Sequence, residues 1–434
     1  MIDELKKSGI EFIRVSYPDL HGICRGKDIT LAHYADVAAH GMAQVEAIMT
    51  VDLGHNVVAG FETGFRDYLN VPDPSTMVTL PWDSTTAWTL TDAKWPDGSP
   101  YDACPRAALK RACAELAELG LSAVAAPELE FYLVDPATFT PYTPQVSAVY
   151  TAGHGADPDG IVREMTVAAR ELGLKPIAAS HEYGCGQYEI NLDHGPAVDS
   201  VDRSFRLKDI VKQIASRHGL LATFMGRLFD HDESSGLHLH VSLERAGENA
   251  FADPEGEQGL STVARQFAAG VLEHTPALTA FLNPTVNSYR RLVAESLAPT
   301  HVNWGYDNRL ALLRFPPERG RATRLEVRTG DGAANLYLGV AGILFAGLDG
   351  LRRELELGPP VVGNPYEHEA LGEPLPSSLE DSLAGLEADP MLREAIGVRL
   401  CEMFLTIKRY ELDRWHAELA KVTDWERREY GFHL

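Results

Sequence analysis

Apolar and polar residues follow two different periods along this chain, and these periods predict a mixture of helices and strands. Alternating apolar and polar residues are typical of half-buried strands, whereas apolar residues at helical spacing are typical of amphipathic helices. The segment CPRAALKRACAELAELG has proline near its start and glycine at its end, which favours a helix. Further helical patterns cover residues 157–173, 200–219, 261–281, 331–355 and 376–423.

The first hundred residues differ in pattern from the rest of the chain. Short strand-like runs between Phe12 and Thr30 are broken by Pro-Asp and His-Gly, which predicts a small sheet with turns. Prolines then punctuate residues 72–100, where the helical signal is poor. At 434 residues, the chain exceeds the roughly 250–300 residues at which single cores stop growing. We therefore predict an α+β protein with two domains, residues 1–100 and 101–434, the second with a helical C-terminal region.

Two of the predicted strands carry paired acidic residues. In the segment PELEF, Glu128 and Glu130 point to the same face, because alternate side chains of a strand share a face. In HEYGCGQYE, Glu182 and Glu189 have opposite parity, and the glycines between them permit a bend that brings both carboxylates together. Each segment alone is also consistent with a solvent-exposed strand or hairpin.

Two further strands carry histidine, serine and arginine. In LHLHVSL, His238, His240 and Ser242 share one face and the other face is wholly apolar, a pattern that favours a site over structural histidines. In RLEVR, Arg324, Glu326 and Arg328 share one face, which is also the pattern of a surface ladder of paired charges.

Taken together, the four strands offer five carboxylates, two imidazoles and nearby arginines. Gathered acids raise one another's pKa unless a cation lies between them, and Mg²⁺ or Mn²⁺ suits carboxylate oxygens with an imidazole. Arginines beside such acids indicate carboxylate or phosphate substrates. The GxxxxGK[ST] and GxGxxG motifs are absent from the sequence. Periodicity alone therefore indicates a metal-dependent phosphoryl-transfer enzyme and goes no further.

Charge and cysteine content exclude several classes of protein. The formal net charge is −23, which argues against a nucleic-acid partner or an anionic membrane. Five scattered cysteines without a CxxC pair argue against a disulfide framework or a zinc site and predict a reduced, cytoplasmic setting. The first residues contain no apolar signal segment, and the chain has no run of 18 apolar residues, so we expect no membrane span.

The chain resembles the glutamine synthetase family, type I, from about residue 10 to its end. The resemblance rests on ordered motifs: PELEF, HEYGCGQYE, SGLHLHVSL, NPTVNSYRRL, DNRLALLRFP, RLEVR followed by DGAANLYL, and ADPMLREAIG with a final TDWERREY. It implies a small N-terminal β-grasp domain and a larger catalytic domain. It also implies a homo-oligomer, a dodecamer of two hexameric rings, in which neighbouring subunits share each active site.

The resemblance assigns roles to individual residues and implies two to three Mg²⁺ or Mn²⁺ ions in each site, with ATP as co-substrate. The first metal site matches Glu130, Glu182 and Glu189, and the second matches Glu128, His238 and Glu326. The positions that contact ATP match His240, Ser242, Arg314, Arg321 and Arg324. Those that hold glutamate match Arg291, Arg328 and Ser234, and catalytic roles fall on Arg309, Asp52 and Tyr150. The implied reaction phosphorylates the side-chain carboxylate of glutamate, and an amine then displaces phosphate.

Two departures from the family pattern bear on the amine. The family flap reads GYEAP, but the aligned segment here is ESLAP, which puts Leu297 where the family has a proton-accepting glutamate. The family Asn-Gly before Ser-Gly-x-His is replaced by Glu233-Ser234. The implied amine pocket contains Leu297, Tyr150, Asp52 and Glu182.

Three hypotheses follow for the function. The first is a γ-glutamylamide synthetase that ligates an organic amine to glutamate, because an apolar flap residue leaves room for an alkyl group. The second is a glutamine synthetase that uses ammonia with an unusual flap. The third is a non-catalytic structural or regulatory relative, which the complete set of metal-site residues opposes, because idle acid clusters cost stability.

Overall fold

The computed structural model describes residues 2–143, 149–367 and 372–430. The predicted α+β class is confirmed, with an N-terminal sheet and a helical C-terminal region. Among the described residues, no helix has the length and apolar character that crossing a membrane requires.

The N-terminal part is built on a six-stranded sheet in the order β2-β1-β6-β4-β3, with β5 paired to β6. Its first two strands are antiparallel, whereas β1 and β6 are parallel. The strands are β1 (Phe12–Pro18), β2 (Cys24–Thr30), β3 (Met42–Val45), β4 (Asp67–Pro72), β5 (Val78–Leu80) and β6 (Asp83–Lys94). Helices α1 (Ile2–Lys7) and α2 (Leu31–His40) belong to the same part.

The second part is built on a ten-stranded sheet whose main path is β14-β15-β16-β12-β7-β9-β8. Strands β10 and β11 pair with β7, and β13 pairs with β12. The strands are β7 (Ser122–Val134), β8 (Pro176–His181), β9 (Gln187–Leu192), β10 (Gly195–Pro196), β11 (Leu221–Thr223), β12 (Leu237–Arg245), β13 (Glu248–Asn249), β14 (Trp304–Tyr306), β15 (Leu313–Phe315) and β16 (Leu325–Gly330).

Helices pack around this sheet and form the C-terminal region. They are α3 (Pro105–Glu118), α4 (Ile161–Glu171), α5 (Ala197–Arg217), α6 (Thr262–Glu273), α7 (Thr275–Leu282), α8 (Leu336–Arg352), α9 (Leu379–Glu387), α10 (Pro390–Ile396), α11 (Val398–Leu419) and α12 (Asp424–Tyr430). The single helical pattern over 376–423 is divided into α9, α10 and α11, because Pro390 starts a new helix and Gly397 ends it with φ of 116°. Pro276 likewise stands at the start of α7 and separates it from α6.

One hydrophobic core connects the two sheets. A single cluster of buried residues runs from Tyr17 and Trp88 in the N-terminal sheet to Leu412 in α11. Across this junction, the buried guanidinium of Arg106 in α3 bonds to Asp73 and Asp92 on the N-terminal side and to Asp202 in α5, at 2.9, 2.6 and 2.7 Å. The division into domains at residue 100 stays a prediction.

Candidate active site

Four neighbouring strands of the large sheet bring the acidic residues and histidines into one row. Strand β16 places Glu326 opposite His240 on β12, and His238 of β12 lies opposite Glu128 on β7. On the other side of β7, Glu130 lies opposite Glu189 on β9. Because directly opposed residues share a face of the sheet, these six side chains lie side by side. We call them the carboxylate row.

Glu128 lies at the centre of the carboxylate row and contacts both histidines. Its Oε1 is 3.1 Å from His240 Nε2, and its Oε2 is 3.6 Å from His238 Nδ1. Burial alone raises the pKa of the Glu128 carboxyl, but the hydrogen bonds with His238 and His240 outweigh burial and hold this pKa well below its usual range. Glu128 is therefore an ionised ligand candidate.

Two groups of side chains in the row can hold a metal ion. Glu128, Glu189 and His238 form one group, and Glu128, His240 and Glu326 form the other, each with ligand atoms within 4.8 Å of one another. Carboxylate oxygens with one imidazole nitrogen are a donor set that fits Mg²⁺ or Mn²⁺. The resemblance predicts different sets, with Glu130 and Glu182 at the first metal.

Glu182 and Glu189 lie on the two sides of a tight turn between β8 and β9. The turn is closed by bonds from Glu182 N to Gln187 O and from Gln187 N to Gly184 O, and Gly186 has φ of 72°. The predicted bend at Gly184 and Gly186 is therefore present.

Burial, followed by the charges of Glu130 and Glu128, raises the pKa of Glu182 to about 7. Burial and the carboxylates of Glu128, Glu130 and Glu182 raise the pKa of Glu189 well above its usual range. Such a concentration of acids is relieved by a cation.

The Glu130 carboxylate is held at one oxygen by two donors. Its Oε2 accepts bonds from Gly236 N at 2.7 Å and from Gln187 Nε2 at 3.0 Å. A Cβ on Gly236 would lie 3.2 Å from Glu130 Oε1, His238 Nε2 and Arg291 Nη2, so a larger residue here would press on all three side chains. Sequence reasoning did not identify Gln187, although its position two residues before Glu189 places both on one face of β9.

Buried arginines surround Glu326. Its carboxylate accepts a bond from Arg314 Nη1 at 2.7 Å and pairs with Arg328. Arg314 also bonds to Asp307. Burial raises the pKa of Glu326, but the charges of His238 and Arg328 and the bond from Arg314 lower it to about 2. Arg291 donates to the carbonyl of Thr329 at 2.9 Å. The predicted glutamate-binding arginines, Arg291 and Arg328, therefore lie side by side.

A cavity of 590 Å³ opens beside the carboxylate row. Four of the five residues predicted to contact ATP line it, together with Glu128: His240, Ser242, Arg321 and Arg324. Arg324 Nε lies 3.2 Å from His240 Nδ1. The fifth, Arg314, contacts Glu326 instead. The cavity joins two arginines to the metal-ligand candidates, an arrangement that can bind a polyphosphate.

The predicted amine-pocket residues are only partly brought together. Tyr150 is 69% exposed, and its pKa is raised by desolvation and then by the charge of Glu182, which places it near that carboxylate. Arg309 lies near Glu182 too, because its charge lowers the Glu182 pKa. Leu297 is 45% exposed and has φ of 58°, a left-handed conformation that costs energy for leucine.

Asp52 and Ser234 have other contacts within this chain. The buried Asp52 carboxylate accepts a bond from Asn56 N at 2.7 Å and pairs with Arg414 of α11, so its described bonds do not reach the carboxylate row. The Ser234 carbonyl accepts a bond from Gln187 Nε2 at 3.1 Å, and its hydroxyl lies 3.5 Å from Arg227 Nη1.

The comparisons with known proteins agree on one family. The family model "Glutamine synthetase, catalytic domain" matches residues 102–430. The chain is 35% identical to "Glutamine synthetase" of Pyrococcus abyssi over 97% of each chain, and 34% identical to that of Halobacterium salinarum over 99% of this chain and 95% of the relative. These relatives belong to a family that uses ATP and divalent metals and whose members are typically oligomeric.

Solved structures give the same result. The structure titled "GmaS/ADP complex-Conformation 1" is similar to this chain with a TM-score of 0.88 and 34% identity, and the alignment covers 99% of this chain and 98% of that one. A "novel glutamine synthase homolog" has a TM-score of 0.83 at 27% identity over 96% of each chain. The chain therefore belongs to the glutamine synthetase family and is an ATP-dependent ligase.

Proposed function

We propose that this ligase joins an organic primary amine to the γ-carboxylate of glutamate. In the first step, the terminal phosphoryl group of ATP is transferred to a γ-carboxylate oxygen, which gives γ-glutamyl phosphate and ADP. In the second step, the amine nitrogen attacks the acyl carbon, the carbon–oxygen bond to phosphate breaks, and the amine loses a proton. The product is a γ-glutamylamide.

The charged side chains of the site support both steps. Arg321 and Arg324, in the wall of the cavity, are placed to pair with phosphate oxygens, and Arg291 and Arg328 to hold the glutamate carboxylate. A divalent cation on the carboxylate row would neutralise the charge of the transferring phosphoryl group. Glu182, which lies near Tyr150 and Arg309, is the carboxylate that we assign to accept the proton that the amine loses. Asp52 is less suited within its own subunit, because Arg414 already pairs with it.

Leu297 is the observation that favours an organic amine. A leucine at the position of the family's flap glutamate cannot accept a proton or attract ammonium, but its half-exposed side chain can pack against an alkyl group. The likeness to GmaS, a γ-glutamylmethylamide synthetase, supports the same function.

A second candidate is ligation of ammonia, which gives glutamine. Curated relatives with the name "Glutamine synthetase" are 32–36% identical to this chain over nearly its full length. The similarity to these relatives supports ammonia as the nucleophile, and the similarity to GmaS supports an organic amine. The two candidates share the phosphorylation of glutamate and differ only in the nucleophile.

A panel of nucleophiles separates these candidates. The purified protein is supplied with ATP, glutamate, Mg²⁺ or Mn²⁺ and one of ammonium, methylamine, ethanolamine, putrescine or benzylamine. Phosphate release gives kcat/KM, and mass spectrometry identifies the product. We expect a higher kcat/KM for at least one organic amine than for ammonium. Ammonium as the clearly better substrate would establish the second candidate, and no phosphate release with any nucleophile would indicate a non-catalytic relative.

Assembly, metal content and location are proposed on the same basis. We propose two to three Mg²⁺ or Mn²⁺ ions in each site, a dodecamer of two hexameric rings, and a cytoplasmic location. In such a ring, Asp52 could serve the active site of a neighbouring subunit. Native mass spectrometry would give the number of subunits, and metal analysis of the purified protein would give the ions in each.

A further inference from the structure

The side chain of Gln187 is 1% exposed and connects three parts of the proposed active site. It lies on β9 opposite Tyr132 of β7, two register positions from the facing pair Glu130 and Glu189 and on the same face of the sheet. Its amide contacts the β8–β9 turn, the Glu130 carboxylate and the segment Glu233–Gly236, which we call the 233–236 loop. The amide of Gln187 is therefore shielded from solvent.

The hydrogen bonds determine the orientation of the amide. Its Oε1 lies 2.8 Å from Gly184 N, and a backbone N–H only donates, so the oxygen must face Gly184. The Nε2 group therefore faces Glu130 Oε2 at 3.0 Å and the Ser234 carbonyl at 3.1 Å. Its two hydrogens match these two acceptors, and a rotated amide would place oxygen against oxygen at both.

This orientation leaves one carboxylate oxygen of Glu130 available to the site. Oε2 is engaged by Gln187 and Gly236, while Oε1, His238 Nε2 and Arg291 Nη2 surround the position that a Cβ would take at Gly236. A carboxylate held at one oxygen presents the other in a defined direction, which is how outer partners orient metal ligands.

We infer that Gln187 is a positioning residue, which aims Glu130 at the metal ion and links that ligand to the 233–236 loop. The inference rests on the proposed metal role of Glu130. Because one amide donates to both Glu130 and Ser234, a change in the carboxylate position is transmitted to the loop, where the resemblance places contacts with glutamate. The 233–236 loop is also held by Tyr132, whose hydroxyl donates to the Glu233 carbonyl at 2.6 Å.

The test measures Mn²⁺ binding to the full-length protein by isothermal titration, without nucleotide, so that its readout does not depend on activity. Gln187→Met keeps the length of the side chain and removes its donors. We expect the Mn²⁺ dissociation constant to rise about tenfold, which is the usual effect of losing an outer partner of a ligand. Gln213→Met is the matched control, because Gln213 also donates to a carboxylate, that of Asp209, but on α5. It should leave Mn²⁺ binding unchanged.

A double-mutant cycle with Glu130→Gln shows whether Gln187 acts through Glu130. If it does, Gln187→Met adds little to the loss caused by Glu130→Gln. Additive losses, or wild-type affinity in Gln187→Met, would overturn the inference. Wild-type affinity in Glu130→Gln would instead show that the proposed metal role of Glu130 is wrong, so the two failures are distinguishable.

Steady-state kinetics test the proposed link between Gln187 and the 233–236 loop. At a metal concentration that saturates the variant, Gln187→Met should raise the KM for glutamate and leave the KM for ATP unchanged, because the ATP cavity does not include the 233–236 loop. An equal rise in both KM values would overturn the link. Should Gln187→Met fail to fold, Gln187→Asn serves in the same experiments, because its amide is one methylene too short to reach Gly184 and Glu130 together.

Discussion

Glu130 and Glu189 lie directly opposite each other across the β7–β9 strand pair. Opposed like charges destabilise a sheet, and burial increases the cost, so this pair of carboxylates calls for a counter-charge. Burial, followed by the charges of Glu128 and Glu130, raises the pKa of Glu189, in keeping with this repulsion. Arg291 lies beside Glu130 and supplies part of this counter-charge, and a divalent ion between the two carboxylates would supply the rest.

Removal of either opposed carboxylate should abolish the reaction and leave the fold intact. We expect Glu130→Ala or Glu189→Ala to eliminate phosphate release at limiting Mg²⁺, because the cation loses a ligand. The thermal midpoint of metal-free Glu189→Ala should equal or exceed that of the wild type, because the repulsion between the carboxylates is removed. Metal-free Glu130→Ala should not gain in the same way, because the Gln187 and Gly236 donors lose their acceptor. Near-normal turnover in either variant would show that its residue is not a metal ligand.

Replacement of Arg328 by lysine should impair the use of glutamate. The Arg328 guanidinium pairs with Glu326 and donates from Nε to the Arg309 carbonyl at 2.8 Å, and an ammonium group cannot make both contacts. We expect Arg328→Lys to raise the KM for glutamate or lower kcat sharply, as measured by phosphate release at saturating ATP. Unchanged kinetics would indicate a different acid substrate, in keeping with the altered Glu233-Ser234 segment.

Arg321 should contribute to ATP binding through the wall of the cavity. We expect Arg321→Ala to raise the KM for ATP about tenfold, roughly 1.4 kcal/mol, the effect of losing one charge-assisted hydrogen bond. The matched control is Arg319→Ala, since Arg319 donates to the carbonyls of Gln258 and Glu318 and does not line the cavity. Similar KM values for ATP in the two variants would contradict the assignment of the cavity.

Leu297 should determine the preference for the amine. Leu297→Glu restores a proton acceptor that attracts ammonium, so we expect the ratio of kcat/KM for ammonium to that for the best organic amine to rise; a missing base typically costs ~10²–10⁴-fold. Leu297→Gln is the control, because it matches glutamate in shape but cannot accept the proton as a carboxylate. If the wild type prefers amines and Leu297→Glu leaves that preference unchanged, the determinant lies elsewhere, most plausibly at Glu233-Ser234 or in a neighbouring subunit.

His274, outside the active site, should make stability depend on pH. Its Nδ1 lies 2.6 Å from Asp389 and its Nε2 3.0 Å from Asp349, and only a protonated imidazole can donate to both. Burial lowers the pKa of His274, but the bonds to Asp389 and Asp349 raise it above its usual value. Its stabilisation is therefore complete below about pH 6.5 and is lost as the pH rises through the raised pKa.

The variant His274→Gln isolates this contribution. We expect it to lower the free energy of unfolding by about 2 kcal/mol at pH 6, and by less as the pH increases, in urea titrations of the metal-free protein. His218→Gln is the control, because His218 pairs with Glu164 in a more exposed position and should contribute little. A loss that is independent of pH would mean that His274 acts by packing alone.

Strand periodicity predicted which side chains share a face. The spacing of two residues between Glu128 and Glu130, and between His238 and His240, predicts that each pair shares a face. The pairing of His238 with Glu128 in the register of β7 and β12 agrees with this prediction. The glycines between Glu182 and Glu189 likewise predicted the bend that the β8–β9 turn makes. These features depend only on local backbone geometry, which short sequence segments determine.

Contacts between strands could not be predicted in the same way. The grouping of Glu128 with both histidines depends on the order and register of β7, β12 and β16, which periodicity does not specify. The pairing of Asp52 with Arg414 joins residues 362 positions apart. The role of Gln187 was missed for a different reason, because an amide carries no charge that marks it in a sequence.

Arg106 forms ion pairs with residues on both sides of the predicted domain boundary near residue 100. Its guanidinium and Asp202 belong to the segment that the family model matches, but Asp73 and Asp92 lie before that segment. A fragment that began at residue 102 would keep a buried cation with one of its three counter-charges and would lose the apolar partners contributed by Tyr17 and Trp88. A shared core and a shared buried cation therefore couple the two modules, and we expect each of them to lose stability when the other is removed.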